Sequence, residues 1–137
     1  MNKFIGIGTW NLKGDHCERV LDIAFNSGYK VIDTASVYEN EKNVGNAIKK
    51  SLLKRSDLFI ISKINIFEYS PEESIEKSLQ DLSTDYIDLI LIHWPIFKTS
   101  LNDYAEKLIN YKNKKLVLNL GVSNFNCSLI NNISTNY

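Results

Sequence analysis

The strongest constraint on this chain is a repeat: short β-branched, apolar runs alternate with helical patterns from one end to the other. The runs are Phe4–Gly8, Lys30–Asp33, Leu58–Ser62, Tyr86–Ile92 and Leu116–Val122. Between them apolar residues recur at i, i+3, i+4 and i+7, the signature of an amphipathic helix. The first such segment places Cys17, Val20, Leu21, Ala24 and Phe25 on one face. Asp15 and Glu18 read as its N-terminal capping box, and Gly28 suits the position just past its end. The second reads Val44, Ala47, Ile48 and Leu52. The third opens with Ser70-Pro71-Glu72-Glu73, an N-cap, a proline at the first helical position and an acid two residues on. It then buries Ile75, Leu79 and Leu82. A weaker helix covers Leu101 to Tyr111, and a fifth starts after Asn126.

Alternation of this kind predicts an α/β fold with one parallel sheet and right-handed crossovers. Strands such as Asp88-Leu89-Ile90-Leu91-Ile92 are apolar at successive positions, as expected when helices cover the sheet. No linker or low-complexity stretch divides the chain, so residues 1–137 read as one domain. The repeat also has a fixed length. Asp33, Lys63, His93 and Ser123 follow one another at intervals of 30 residues, each at the C-terminal end of a predicted strand. Equal βα units bring successive strand ends side by side on one rim. In a parallel (β/α) barrel that rim carries the active site. An open doubly wound sheet also gathers residues at its strand ends. However, no G-x-G-x-x-G follows any strand: after Gly6 and Gly8 the next glycine is Gly14.

Bulk properties exclude several classes. Sixteen basic residues balance sixteen acidic ones, so no charge footprint points to nucleic acid or anionic lipid. No apolar run approaches the roughly eighteen residues of a membrane span. Cys17 and Cys127 lie far apart without metal-ligand spacing, and both read as reduced thiols. The expectation is a cytoplasmic protein with no metal, no membrane and no nucleic-acid partner.

The polar residues at the strand ends form a chemical set. Reducing a carbonyl requires a hydride on carbon and a proton on oxygen, and the protein must supply the proton. An ordinary tyrosine, with a pKa of about 10, gives up its proton too reluctantly near neutral pH. A lysine ammonium close by favours the phenolate, a carboxylate keeps the lysine charged and aimed, and a histidine orients the reacting oxygen. The chain offers one candidate for each role: Tyr38 as acid, Lys63 as its tuner, Asp33 as the lysine's partner and His93 as orienter.

Five stretches carry a resemblance. They are Ile5-Gly-Ile-Gly-Thr-Trp10, Val31-Ile-Asp-Thr-Ala-Ser-Val-Tyr38, Phe59-Ile-Ile-Ser-Lys63, Asp85-Tyr-Ile-Asp-Leu-Ile-Leu-Ile-His-Trp-Pro95 and Gly121-Val-Ser-Asn-Phe125. In order and spacing they resemble the aldo-keto reductases. Tyr38-Glu-Asn-Glu41 and Ser83-Thr-Asp-Tyr-Ile-Asp88 look most like the bacterial 2,5-diketogluconate reductases. The resemblance implies a (β/α)8 barrel of the TIM type and NADPH- or NADH-dependent reduction of small aldehydes, ketones or sugar-derived dicarbonyls, without a metal. By position it makes Asp33, Tyr38, Lys63 and His93 catalytic. It places Thr9, Trp10 and Asp33 at the nicotinamide ribose, and Ser123 and Asn124 at the nicotinamide carboxamide. Trp10 and Trp94, with Tyr38 and His93, line the substrate pocket.

Each residue has a plainer reading beside this one. Asp33 can cap a turn with Thr34, and Tyr38 can pack a loop. Trp10 and Trp94 can be core aromatics, and the charged segments 39–50, 72–81 and 112–115 read as solvated helix faces. A whole barrel takes about 250 residues. The expectation is therefore about five of eight βα units, cut short after the fifth strand, with open sheet edges available for association. An inactive remnant and a non-enzymatic binding subunit of the same fold are the alternative readings.

Overall fold

A computed structural model describes residues 5–64, 70–95 and 101–134. Five parallel strands form one sheet in sequence order. They are β1 (Gly6–Gly8), β2 (Val31–Asp33), β3 (Phe59–Ile64), β4 (Ile87–Ile92) and β5 (Val117–Val122). The helices between and after them are α1 (Gly14–Asn26), α2 (Glu41–Lys50), α3 (Pro71–Leu82), α4 (Leu101–Asn113) and α5 (Cys127–Ser134). Each predicted run holds a strand, although Phe4 lies outside the described residues. The architecture is the α/β fold expected, part of a parallel barrel.

Each strand is stitched to helices along one face. In β3 the side chains of Ile60, Ser62 and Ile64 are fully buried, as are Ile32 in β2 and Ile90 in β4. The four isoleucines pack with Cys17, Leu21, Val44, Ala47, Ile75 and Leu82 from α1, α2 and α3 in one apolar cluster. The opposite face carries Asp33, Ile61, Leu89 and Asn119 as cross-strand neighbours, then Lys63, Leu91 and Gly121 one step higher. Ile61, Leu89, Leu91 and Asn119 keep part of their surface open to water.

The third helix starts as its sequence predicts. Ser70 Oγ accepts from the Glu73 backbone N–H at 3.2 Å, and Glu73 Oε2 accepts from the Ser70 N–H at 3.0 Å. Gly28, with φ of 89°, follows the Ser27 cap of α1 as expected. Two local expectations fail. The N-cap of α1 is Lys13, with no side-chain cap, so Asp15 and Glu18 make no capping box. Glu18 faces α2 instead and accepts from Asn43, Asn46 and Lys50, the last at 2.7 Å. These hydrogen bonds, Lys50's foremost, hold its carboxyl down at about 2. Leu52 lies beyond the end of α2 and is fully exposed, because the helix stops at Lys50.

At the N-terminal end of the sheet one arginine joins three segments. Arg55 donates to Thr84 Oγ1 (2.7 Å), the Leu58 carbonyl (3.0 Å), the Tyr86 carbonyl (2.8 Å) and Asp88 Oδ2 (2.6 Å). Its guanidinium carbon also sits 3.9 Å from the centre of the Tyr86 ring. Asp88 Oδ2 in turn accepts from the Ile60 N–H at 2.9 Å, and Asn119 donates to the Asp88 carbonyl. A planar fork with several fixed donors suits this cluster, whereas an ammonium does not. Arg55→Ala strands the Asp88 carboxylate and three carbonyl or hydroxyl acceptors, and we expect a loss of about 2 kcal/mol. Arg55→Lys should recover less than half of it, as read from urea unfolding midpoints.

Candidate active site

The site grows from the register of the strands. Val31 stands opposite Phe59, and Ile61 opposite Leu89, so 28 residues separate partners across β2, β3 and β4. The polar residues recur every 30. Each therefore sits two residues further along its strand than the last: Asp33 is opposite Ile61, and Lys63 is opposite Leu91. Stagger of this sense accompanies strand tilt in a barrel and keeps such side chains on one rim. Between β4 and β5 the offset equals the repeat, with Ile92 opposite Val122, so His93 and Ser123 leave their strands side by side.

Lys63 is the centre. It is only 6 % exposed, and its ammonium donates to Asp33 Oδ1 (2.5 Å), the Thr34 carbonyl (2.9 Å) and Tyr38 Oη (3.3 Å). All three partners come from β2 and the loop after it. That loop is fixed by the sheet, because the Thr34 N–H donates to Ile61 and Ser36 Oγ donates to the Lys63 carbonyl. Tyr38 ends a short 3-10 turn, Ser36–Tyr38, which Glu39 closes in the left-handed region at φ of 52°. Lys13 donates to the Tyr38 carbonyl at 2.6 Å.

His93 completes the hollow. Its ring meets that of Tyr38 edge-on, with centroids 5.9 Å apart and planes at 75°. Trp94 stacks on its other side at 3.5 Å. Burial, and then the neighbouring Lys63 charge, push the imidazole down to about 4. It is neutral at neutral pH. Its Nδ1 is buried and has no hydrogen-bond partner among the described residues. Beside it, Asn124 takes a left-handed conformation (φ 62°) and donates to the His93 carbonyl at 2.8 Å and to Ser123 Oγ at 3.2 Å.

The structure thus brings Asp33, Tyr38, Lys63 and His93 together, with Ser123 and Asn124 on the same rim. Asp33 does not cap a turn with Thr34, whose hydroxyl donates to Asn40 instead. Trp10 is 75 % exposed and Trp94 half-exposed, so neither is a core aromatic. Thr9 differs from expectation. It is wholly buried and its hydroxyl and N–H both donate to the Asp33 carbonyl, so its side chain braces the site from behind. Two further residues escaped the reading of segment 39–50 as a solvated face. Asn40 is buried and donates to the carbonyls of Thr9 (2.7 Å) and Leu12 (2.9 Å), tying the β1 exit to the Tyr38 loop. Glu41 is buried as well. The helical period gives the signal: one turn back from Val44 and Ile48, the apolar stripe lands on these two residues.

Among known families, the sequence matches the Aldo/keto reductase family over residues 4–137. The chain belongs to the aldo-keto reductases. It is 40% identical over 130 residues to methylglyoxal reductase DkgB of Escherichia coli O157:H7, covering 91% of this chain and 49% of that protein. With methylglyoxal reductase DkgA of Yersinia pestis it shares 39% identity over 123 residues, 88% of this chain and 44% of that one. Among solved structures, one named for 2,5-diketo-D-gluconic acid reductase B superposes with a TM-score of 0.89 at 34% identity, over 94% of this chain and 47% of that one. The aldose reductase of Giardia lamblia gives 0.88 at 30% identity, over 96% and 52%. The resemblance to the diketogluconate reductases therefore stands, and this aldo-keto reductase chain spans about half the length of the curated relatives it matches. Among the described residues no cluster of acidic, histidine or cysteine side chains is arranged to hold a metal, and no helix is long and apolar enough to cross a membrane.

The neutral histidine has a measurable consequence. Unfolded, its imidazole takes up a proton near 6.5; folded, only near 4. Between those values the unfolded chain binds the extra proton, so stability falls as the pH is lowered through that window. We expect a loss of about 2 kcal/mol between about pH 7 and pH 5. A His93→Gln chain should lack that loss, as read by denaturant unfolding at both values.

Proposed function

We propose that this chain carries the proton-transfer half of an NAD(P)H-dependent reductase of small aldehydes, ketones or sugar-derived dicarbonyls. The observation that supports it most is the Lys63 ammonium, shared between the Asp33 carboxylate and the Tyr38 phenol inside one hollow. The relatives named as methylglyoxal reductases favour a small dicarbonyl as substrate.

Tyr38 Oη delivers the proton to the carbonyl oxygen. As it does so, negative charge builds on the phenol oxygen, and the ammonium already pointed at that oxygen stabilises it. Asp33 holds the ammonium in place throughout. The neutral His93 ring borders the same space and offers a hydrogen bond to the substrate oxygen without adding a second positive charge. Trp94, stacked on that ring, presents apolar surface that excludes water from one side of the substrate, and the exposed Trp10 offers a second such surface.

A nicotinamide cofactor, when bound, supplies the hydride. The rim fits the carboxamide end of such a group. Ser123 offers a hydroxyl, and Asn124, whose amide nitrogen is engaged by the His93 carbonyl, keeps its amide oxygen as an acceptor. Asp33, with part of its carboxyl open to water, and Trp10 serve as contacts toward the ribose. Thr9 contributes by fixing the Asp33 backbone. NADPH is the expected form, with NADH the alternative.

The test is reduction of methylglyoxal and a panel of other dicarbonyls by the chain joined to the remaining βα units of a methylglyoxal reductase relative. We expect NADPH consumption that Tyr38→Phe lowers by about 10²–10⁴-fold. Activity that survives Tyr38→Phe intact, or no consumption with any dicarbonyl, would defeat the proposal.

A further inference from the structure

A cluster behind the sheet is left unused by this chemistry. Glu41, the first residue of α2, is 3 % exposed, and its carboxyl oxygens each accept a serine hydroxyl. Ser62 Oγ of β3 donates to Oε1 at 2.5 Å, and Ser78 Oγ of α3 donates to Oε2 at 2.8 Å. Both serines are buried, and Ser62 is the residue before Lys63. Alternation along the strand sends Ser62 to the helix side and Lys63 to the hollow. Glu41 itself comes three residues after Tyr38. The carboxyl therefore spans the two segments that hold the reacting pair.

The close approach of α2 to α3 makes this span possible. One turn along α2 from Glu41 lies Gly45, where an added Cβ would come within 2.5 Å of the Asp81 carbonyl oxygen. Only a residue without a side chain lets the helices meet there, and that contact sets Glu41 beside Ser78 one turn earlier on α3. A buried carboxyl is costly, so it needs those donors. Desolvation pushes it up, the two serine hydroxyls pull it down, and Asp81 and Lys77 of α3 act on it in opposite senses.

We propose that Glu41 is a positioning residue for the Tyr38–Lys63 pair. Its bond to Ser62 sets the start of α2, and with it the Tyr38 loop, against the strand that carries Lys63. The phenol–ammonium distance then depends on a contact on the far face of the sheet. For catalysis the idea rests on the reductase reading above, but its geometry can be tested without turnover.

The 137-residue chain, labelled with tyrosine 13Cζ, gives the readout. Lys63→Met removes the ammonium from the Tyr38 phenol and should move the Tyr38 resonance. The size of that displacement measures how closely the pair is held. We expect Ser62→Ala and Glu41→Ala to shrink it at least twofold, Glu41→Gln to restore most of it, and Ser78→Ala to leave it nearly whole. A role confined to stability predicts instead that the two serine variants act alike. Equal effects of Ser62→Ala and Ser78→Ala, or an unchanged displacement in Ser62→Ala, would overturn the proposal. Should Glu41→Ala fail to fold, the two serine variants still decide. The reductase reading stands or falls separately, on NADPH consumption.

Discussion

A buried ammonium governs the arrangement of this molecule. Withdrawn from water, the Lys63 charge costs several kcal/mol unless it is paired and hydrogen-bonded. The chain meets that demand from one source: β2 and its exit loop supply a carboxylate, a carbonyl and a phenol. Because all three acceptors lie in β2 or the loop after it, the β2–β3 register determines whether the charge can be satisfied. A one-residue slip would turn Lys63 toward the helices and Ser62 toward the hollow. The site is thus tied to the register that pairs this cation. The same charge also shapes its neighbour, since burial and then Lys63 keep His93 neutral.

The other end of the sheet uses charge differently. Arg55 and Asp88 are each largely covered and meet at 2.6 Å, but every remaining bond of the arginine goes to backbone or a hydroxyl nearby. The two cations therefore stand at opposite rims of one sheet, Arg55 bonded into the frame and Lys63 to a carboxylate and a phenol that border the hollow. In parallel barrels that division is the rule, with chemistry at the C-terminal rim and stability at the N-terminal one.

The sequence made the first of these legible and hid the second. Asp33, Lys63 and His93 are visible because they recur at one interval after apolar runs, and a polar residue there has no role in the core. Tyr38 needed chemistry as well as spacing, since it lies in a loop. Arg55 could not be found this way: its partners Thr84, Tyr86 and Asp88 are some 30 residues away and meet it only after β3 and β4 pair. Glu41 and Asn40 were hidden by composition, because a run of charged and amide residues reads as a wet surface until the helical period is extended back through them. Glu18 failed for a related reason. A local capping bond and a long-range one compete for the same carboxylate, and three donors on α2 outweigh a single N–H of its own helix.

Order at the reactive rim comes mainly from the helix side. On the inner face Ile61, Leu89 and Leu91 remain partly open to water, and Phe59 is 38 % exposed, so the apolar packing is looser on this side. On the outer face Ile60, Ser62, Ile64 and Ile90 are wholly covered and Ile92 nearly so. Strand residues alternate between these faces, so a strand side chain in the hollow can be flanked in sequence by two on the helix side. For Lys63 the flanking pair is Ser62, bonded to Glu41, and Ile64, in the apolar cluster. The backbone on both sides of the cation is thereby fixed. That is how a site can keep its geometry on a sheet whose inner face is still partly wet.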